Sequence, residues 1–326
     1  MRNSIIMLML AGTLGASNFL TMTPDAVVTS FAGCDNAVSR GTTALILNPA
    51  GLTRSEDWEA ALSHLFWTMS ASGMVAEFSP QYEYAGGVVS LGRHSVGMNI
   101  AHYHYPPIDL GDGNPLNVFS GFLSGGYAYD LGFLSAGVRG KVIWEVLASY
   151  SAAAFAFDAG VIMPFTFLKL YKGVTPNCRV GIALYNVGTP IVLVSEPEYL
   201  PGHLSIGAGY TVFDGAIGTL DTALDGKFFW GSDNGYRLIS VHAATEYRFR
   251  ELLSLRMGYA ASLPIDQGDT GSFSHTVSAG VGASYRVGSI RFRFDYAVGI
   301  PLVEDGQVSH TATLTLLGGS SEVVTE

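Results

Sequence analysis

Segments of about ten residues that alternate between apolar and small or polar side chains run almost the length of this chain. From Leu204 to Val212, Leu204, Ile206, Ala208, Tyr210 and Val212 share one parity, and Ser205, Gly207, Gly209 and Thr211 share the other. Phe292, Phe294, Tyr296 and Val298 alternate with Arg291, Arg293, Asp295 and Ala297. Val241, Ala243, Thr245, Tyr247 and Phe249 alternate with His242, Ala244, Glu246 and Arg248. A strand turns successive side chains to opposite faces, so each segment makes a strand with one apolar side. A membrane helix would need about 20 consecutive apolar residues. Past the N-terminus, Gly, Ser, Asn or a charge interrupts every apolar stretch within about ten residues.

What the second face carries separates two kinds of β protein. A soluble sandwich would line it with Lys and Glu for bulk water. Here it is Gly, Ser, Thr, Ala and a few charges of both signs, which suits a confined lumen where an unpaired charge is costly. Charged residues are 13% of the chain, about half the roughly 25% of soluble domains. The reading is an all-β, transmembrane antiparallel β-barrel, since closure leaves no unpaired edge in a bilayer. A hydrophobic content of 48% with 12% aromatics excludes a disordered chain. A net charge of −10 without a Lys/Arg cluster speaks against nucleic acid as a partner. Two cysteines, Cys34 and Cys178, exclude a disulfide-dense scaffold.

Strands are expected at 58–68, 82–91, 94–105, 118–129, 132–146, 151–163, 178–187, 203–212, 216–227, 238–248, 252–262, 274–286, 289–298 and 308–317, which makes 14. Segment 70–80 is also strand-like. Turn signals at 91–93, 130–132, 213–215 and 286–288 alternate with longer loops at 106–117, 164–177, 188–202, 228–237 and 263–273, the barrel pattern. Arg2, the apolar run from Ile5 and the small residues Gly12, Gly15, Ala16 and Ser17 read as a signal peptide over 1–20, with cleavage open anywhere from Ala16 to Ala26. That leaves 21–57 before the barrel, the barrel at 58–317 and a tail at 318–326. Ser30 to Cys34 superficially matches a lipoprotein box, but Pro24 and Asp25 separate it from the apolar run, which argues against lipidation of Cys34.

The segment Ser30-Phe31-Ala32-Gly33-Cys34-Asp35-Asn36-Ala37-Val38-Ser39-Arg40-Gly41-Thr42-Thr43-Ala44-Leu45-Ile46-Leu47-Asn48-Pro49-Ala50-Gly51-Leu52 precedes the first strand. It resembles the N-terminal hatch of FadL-type long-chain fatty-acid outer-membrane transporters and of the related PorV/PorQ-like proteins. Asn48-Pro49-Ala50-Gly51-Leu52 is its core, and Arg40-Gly41 stands where the family often has an acidic residue. More weakly, Phe157 to Val161, Gly181 to Gly188 and Leu200 to Tyr210, together with the short chain, resemble the PorV-like branch. The resemblance implies an outer-membrane barrel whose plug, residues Asn48, Pro49, Ala50, Gly51 and Leu52, gates a hydrophobic ligand beside a gap in the wall. Asn48 before a proline holds extended backbone, and its amide can satisfy irregular backbone groups. Read on the residues alone, Asn48-Pro49 merely caps the turn into the first strand.

Other constellations are bland. His102 and His104 share a strand face but lack a third ligand, so an interfacial girdle outweighs a metal site. No nucleophile elbow, phosphate loop or metalloprotease motif is present, and no catalytic residue or cofactor is expected. His64 beside Ser63, and His310 beside Ser309, point to opposite faces. Of the lumen charges Arg139, Lys141, Glu145, Asp158, Glu246, Arg248, Arg256, Arg291, Arg293 and Asp295, most are expected to pair across the lumen. Arg256, Arg291 and Arg293 are the candidates to hold a ligand carboxylate. The leading expectation is a barrel passing hydrophobic small molecules, fatty acids above all, by lateral exit, with outer-membrane lipid around it. The rival is a non-transporting accessory barrel whose loops dock a protein partner.

Overall fold

The computed structural model describes residues 18–34, 36–68, 79–107, 116–193, 197–230, 237–265, 273–303 and 306–319. Fourteen antiparallel strands close into one barrel. They are β1 (Trp58–Thr68), β2 (Gln81–Leu91), β3 (His94–His104), β4 (Val118–Asp130), β5 (Ser135–Leu147), β6 (Tyr150–Phe165) and β7 (Cys178–Gly188), then β10 (Gly202–Gly215), β11 (Gly218–Trp230), β12 (Leu238–Phe249), β13 (Leu253–Pro264), β14 (Ser274–Val287), β15 (Ile290–Pro301) and β16 (Val308–Gly318). A two-residue pair, β8 (Ile191–Val192) with β9 (Pro197–Glu198), sits in the loop between β7 and β10. The ring closes where β16 pairs with β1, Trp58 opposite Gly318. The expected leader up to Ser17, most of the strand-like segment 70–80 and the tail from Ser320 lie outside the described residues.

Strand faces follow the alternation. On β1, Leu62 is 62% exposed on the outside while its neighbours Ala61 and Ser63 are buried inside. The outer wall carries a band of exposed apolar side chains, such as Met98, Phe155, Phe157, Ile206, Leu224, Met257 and Phe294. Large exposed apolar surface all around a closed sheet is stable only in lipid. Hairpins collect at one end, where Gly92 and Gly288 supply the positive φ of tight turns. The longer loops collect at the other end.

Two expectations are corrected. The β5–β6 connection at the long-loop end is a tight turn, and the 166–177 connection between β6 and β7 falls at the hairpin end. β6 is 16 residues long, and the chain reverses only where Asn177 clamps Phe167, accepting from its N–H (3.0 Å) and donating to its carbonyl (2.7 Å). The lumen is also not polar throughout. In the long-loop half, β1 to β5 turn Leu65, Tyr82, Tyr84, Tyr103, Phe122 and Ile143 inward.

Candidate functional site: the plug and its seat

Residues 18–34 and 36–57 lie in the lumen against the wall, with Phe19 in the long-loop half and Glu56 at the hairpin end, where the segment passes into β1. Asn18–Thr21 forms a short 3-10 turn and Ala26–Ser30 a five-residue α-helix. Two further 3-10 turns follow, Gly41–Leu45 and Pro49–Arg54. The helix starts at Asp25, whose Oδ1 accepts from Val27 N (2.8 Å) and Val28 N (3.2 Å). Burial pushes the Asp25 carboxyl up to about 6, the Asp295 carboxylate adds to this, and Arg293 and the two amides oppose it. Ala26 N donates to Thr313 Oγ1 (2.8 Å), and Thr29 Oγ1 meets Thr311 Oγ1 (3.0 Å).

The turn after the helix places Ala32 and Gly33 at positive φ, which presents their carbonyls to the wall. Lys227 Nζ on β11 donates to Gly33 O (2.7 Å), and His242 Nδ1 on β12 lies 2.6 Å from Ala32 O. Cys34 is fully buried, with its thiol 3.4 Å from His242 O.

Asn36 and Asn48 form the central latch. Asn48 Nδ2 donates to Asn36 Oδ1 (2.9 Å) and to Val161 O on β6 (3.1 Å), with Ile182 O on β7 at 3.4 Å. Its Oδ1 accepts from Ala50 N (3.0 Å). Asn36 donates through Nδ2 to Gly181 O (2.9 Å) and through its backbone N–H to Asp225 Oδ2 (2.9 Å). Both amides are therefore fixed by buried partners on three strands. A side chain at the wall position opposite would collide: a Cβ at Gly160 would lie 2.1 Å from Asn48 Oδ1, and one at Gly137 2.5 Å from the Pro49 backbone. Gly137 and Gly160 are register partners, as are Gly181 and Gly207. Pro49 and Ala50 are buried against this seam, Gly51 approaches Ser39 O, and Leu52 packs with Leu45, Val88 and Ala128.

Two ion networks flank the plug. At the hairpin end a ladder of alternating sign crosses the wall: Asp221–Arg248 (2.6 Å), Arg248–Glu246 (2.6 Å), Glu246–Arg256 (2.7 Å), Arg256–Asp295 (2.7 Å) and Asp295–Arg293 (2.9 Å). Arg291 bridges Glu56 (3.3 Å), at the plug's exit into β1, and Glu251 (3.1 Å). The three sequence-nominated arginines therefore line one cavity of about 520 Å³, yet each already holds a carboxylate of the protein. Arg256, with a side chain 2% exposed, holds two. The second network sits at the β6–β7 seam. Asp158 accepts from Arg139 Nε (2.6 Å), from Lys141 Nζ (2.8 Å) and from Asn186 N (2.8 Å). Asn186 has φ 55° and marks a register shift, Phe157 facing Val187 but Ala159 facing Leu184.

Around Phe19, along β1 to β5, the long-loop half of the lumen is mostly apolar, with Glu145 the buried inward charge beyond Ile143. Phe19 lies 6.3–6.4 Å, centroid to centroid, from Tyr82, Tyr103 and Phe122, and Leu65, Ile143, Ile191 and Leu200 complete the cluster. Tyr82 OH donates to Phe19 O (3.3 Å). The sequence reading missed Asn36, Lys227, His242 and Phe19. Asn36 lay inside the hatch motif and had a signal; the wall residues have none without knowledge of which strands face the plug.

No protein-family model and no curated protein matches the chain. Solved structures do. The toluene transporter TbuX of Ralstonia pickettii superposes with a TM-score of 0.62 at 13% identity, over 90% of this chain and 98% of that one. The toluene transporter TodX of Pseudomonas putida gives 0.61 at 12% identity, over 91% and 98%. A Pseudomonas aeruginosa FadL homologue gives 0.57 at 10% identity, over 90% and 97%. The chain shares the fold of these structures over about nine-tenths of its length.

Proposed function

We propose that the chain is an outer-membrane barrel of the FadL-like group that takes up hydrophobic small molecules and releases them sideways into the membrane. The observation that carries this reading is the division of the lumen. Its long-loop half is lined by Tyr82, Tyr103, Phe122 and Ile143, while the plug and two ion networks close the way down. A polar-solute porin would need water along the whole path. An apolar solute gains by leaving water for the aromatic half, then meets buried charge below it. The seat filled by Phe19 is the ligand's resting place, and the N-terminal segment moves aside as it fills.

The exit lies at the β6–β7 seam beside Asn48. Three features support that position: the register shift at Asp158, the left-handed Asn186, and Asn48 and Asn36 holding wall carbonyls on both strands. Long-chain fatty acids are the leading ligand class. The similarity in fold to two toluene transporters makes a single-ring hydrocarbon the natural second probe.

The test is uptake of labelled oleate, with toluene as competitor, in cells that lack their own fatty-acid transporter. Uptake above background with a folded barrel supports the reading. Absence of uptake of either probe, with the barrel folded, would overturn it in favour of an accessory barrel that docks a protein partner.

A further inference from the structure

The outer wall carries a chain of imidazoles that neither the plug nor the lumen uses; the argument rests on the wall spanning a membrane. On β3 the outward residues run His94, Val96, Met98, Ile100, His102 and His104. The three apolar ones are 43%, 61% and 47% exposed. Eight residues separate His94 from His102, about 26 Å along a strand and roughly 20 Å along the axis of a tilted barrel. The two histidines thus bracket the apolar band, and His102 stands at its long-loop edge.

At that edge the belt is continuous over six neighbouring strands. The Tyr296 ring lies 6.2 Å from His310, His310 is 5.1 Å from Phe66, and Phe66 is 5.6 Å from His64. His64 Nδ1 is 3.4 Å from Glu83 Oε1, and His104 Nε2 is 3.3 Å from Glu83 Oε2. His104 stacks on His102 at 5.1 Å, and His102 meets Phe119 at 5.6 Å. A carboxylate facing hydrocarbon is costly, so Glu83 fixes this belt at headgroup depth. An aromatic girdle needs rings with one polar tip. Two imidazoles on one carboxylate, with two more in the same belt, are more than that. Glu83 engages one ring nitrogen each of His64 and His104, and Tyr296 OH lies 2.7 Å from His310 Nδ1. These contacts hold the rings in place; the hydrogen bond to the carboxylate is from His104 Nε2 to Oε1 (3.3 Å), and among the described residues Oε2 has no hydrogen-bond partner.

We infer that the belt is a binding site for a phosphate-bearing lipid headgroup in the leaflet at the long-loop end. A neutral imidazole has one N–H, which His64 and His104 turn to Glu83, so with neutral rings the donor to a phosphate oxygen is His102, and protonation gives His64 and His104 a second N–H each; among the described residues no group of three His, Cys, Asp or Glu is placed to hold a metal ion. The acyl chains of such a lipid would lie along the apolar stripe below, over Leu62, Ile100 and Met98.

Native mass spectrometry of the full chain in detergent tests this, with dioleoyl phosphatidic acid, dioleoylglycerol and inorganic phosphate as parallel probes. The expected result is one retained phosphatidic acid, bound roughly ten-fold more tightly than the diacylglycerol, the scale of a hydrogen bond to a charged group. H64Q/H102Q/H104Q should remove that preference, and H94Q, at the hairpin edge of β3, should keep it. H102Q leaves the His64–Glu83–His104 contacts in place and should weaken binding even if the triple variant does not fold. Equal binding of both lipids, a triple variant that keeps the preference, or inorganic phosphate binding as well as the lipid would overturn the headgroup site. A nitroxide at M98C in phosphatidylcholine nanodiscs separates the two levels. A water-accessible label there would sink the spanning wall itself, whereas a lipid-accessible one with no phosphatidic-acid preference sinks the headgroup site.

Discussion

Asn48 and Asn36, on different turns of the plug, share a buried hydrogen bond of 2.9 Å between Nδ2 and Oδ1, and each amide also donates to a wall carbonyl. Neither contact works without the other, because Asn48 needs Asn36 as one of its acceptors and the wall as the next. Asn48→Ala strands Asn36 Oδ1 and Ala50 N, and each buried group left unpaired costs about 1–3 kcal/mol. The barrel should still fold and run as a heat-modifiable band. Hydrogen exchange across residues 36–54 should rise roughly ten-fold or more, a factor worth about 1.4 kcal/mol. An exchange pattern identical to that of the parent would show that the plug is held by something else.

The wall must come close to the plug at Gly137, where a Cβ would lie 2.5 Å from the Pro49 backbone. Backbone cannot swing away as a side chain tip can, so Gly137→Ala should lift the Pro49–Arg54 turn from the wall. Single-channel conductance in planar bilayers should increase in this variant. Gly226→Ala, with no atom within 4 Å of the added Cβ, should leave conductance unchanged and serves as the control.

Arg256 is locked between Glu246 and Asp295. Removing one partner from a buried network is far more costly than removing all of it, typically about 3–5 kcal/mol. Arg256→Met should therefore lower the urea midpoint of the barrel in phospholipid vesicles strongly. The quadruple change Arg256→Met, Glu246→Gln, Asp295→Asn, Arg293→Met, which leaves only the Arg248–Asp221 pair, should recover most of the loss. Equal midpoints for the single and quadruple variants would mean that the ladder is solvated rather than buried.

These sites differ in how far the sequence foretold them. The 14 expected strands match the observed ones to within a few residues at each end, because a period of two is written directly into each segment. The hatch core was visible because Asn-Pro-Ala-Gly-Leu is contiguous. The pairing of Arg256 was not visible: its partners lie 10 and 39 residues away, on strands whose register only the closed sheet defines. The lumen of β2 defeated the pattern for another reason. Tyr82 and Tyr84 face inward and Glu83 outward, the reverse of the rule, since the lumen is apolar there and the outer face has reached headgroup depth.

The Asp25 carboxyl, raised from 3.8 to about 6 by burial and by the Asp295 carboxylate, gives the plug a pH dependence. The folded state holds the proton more tightly than the unfolded one. Its contribution is thus complete below about pH 4 and is lost as pH rises through about 6. Asp25→Asn keeps the Oδ1 acceptor for Val27 N and Val28 N and removes the charge. Protection of residues 26–34 from exchange should fall between pH 4 and 6.5 in the parent and stay flat in the variant. Parallel profiles would assign the titration to another group.

Phe19 packs into the aromatic half of the lumen, although the sequence reading places residues up to 20 in a leader. Both hold only if the leader is shorter. Small residues at Gly15 and Ser17 offer a cleavage point just before Asn18. Mass spectrometry of the mature N-terminus should find the chain beginning at Asn18 or earlier. Phe19→Ala should then empty the seat between Tyr82, Tyr103 and Phe122, a loss of about 3–5 kcal/mol in a packed core. Part of that loss should return when toluene fills the space, seen as a rise in thermal midpoint in the variant that exceeds the rise in the parent. A mature chain that begins after Leu20 would remove Phe19 from the seat altogether. The aromatic pocket would then stand open at rest, and ligand entry would need no displacement of the N-terminal segment.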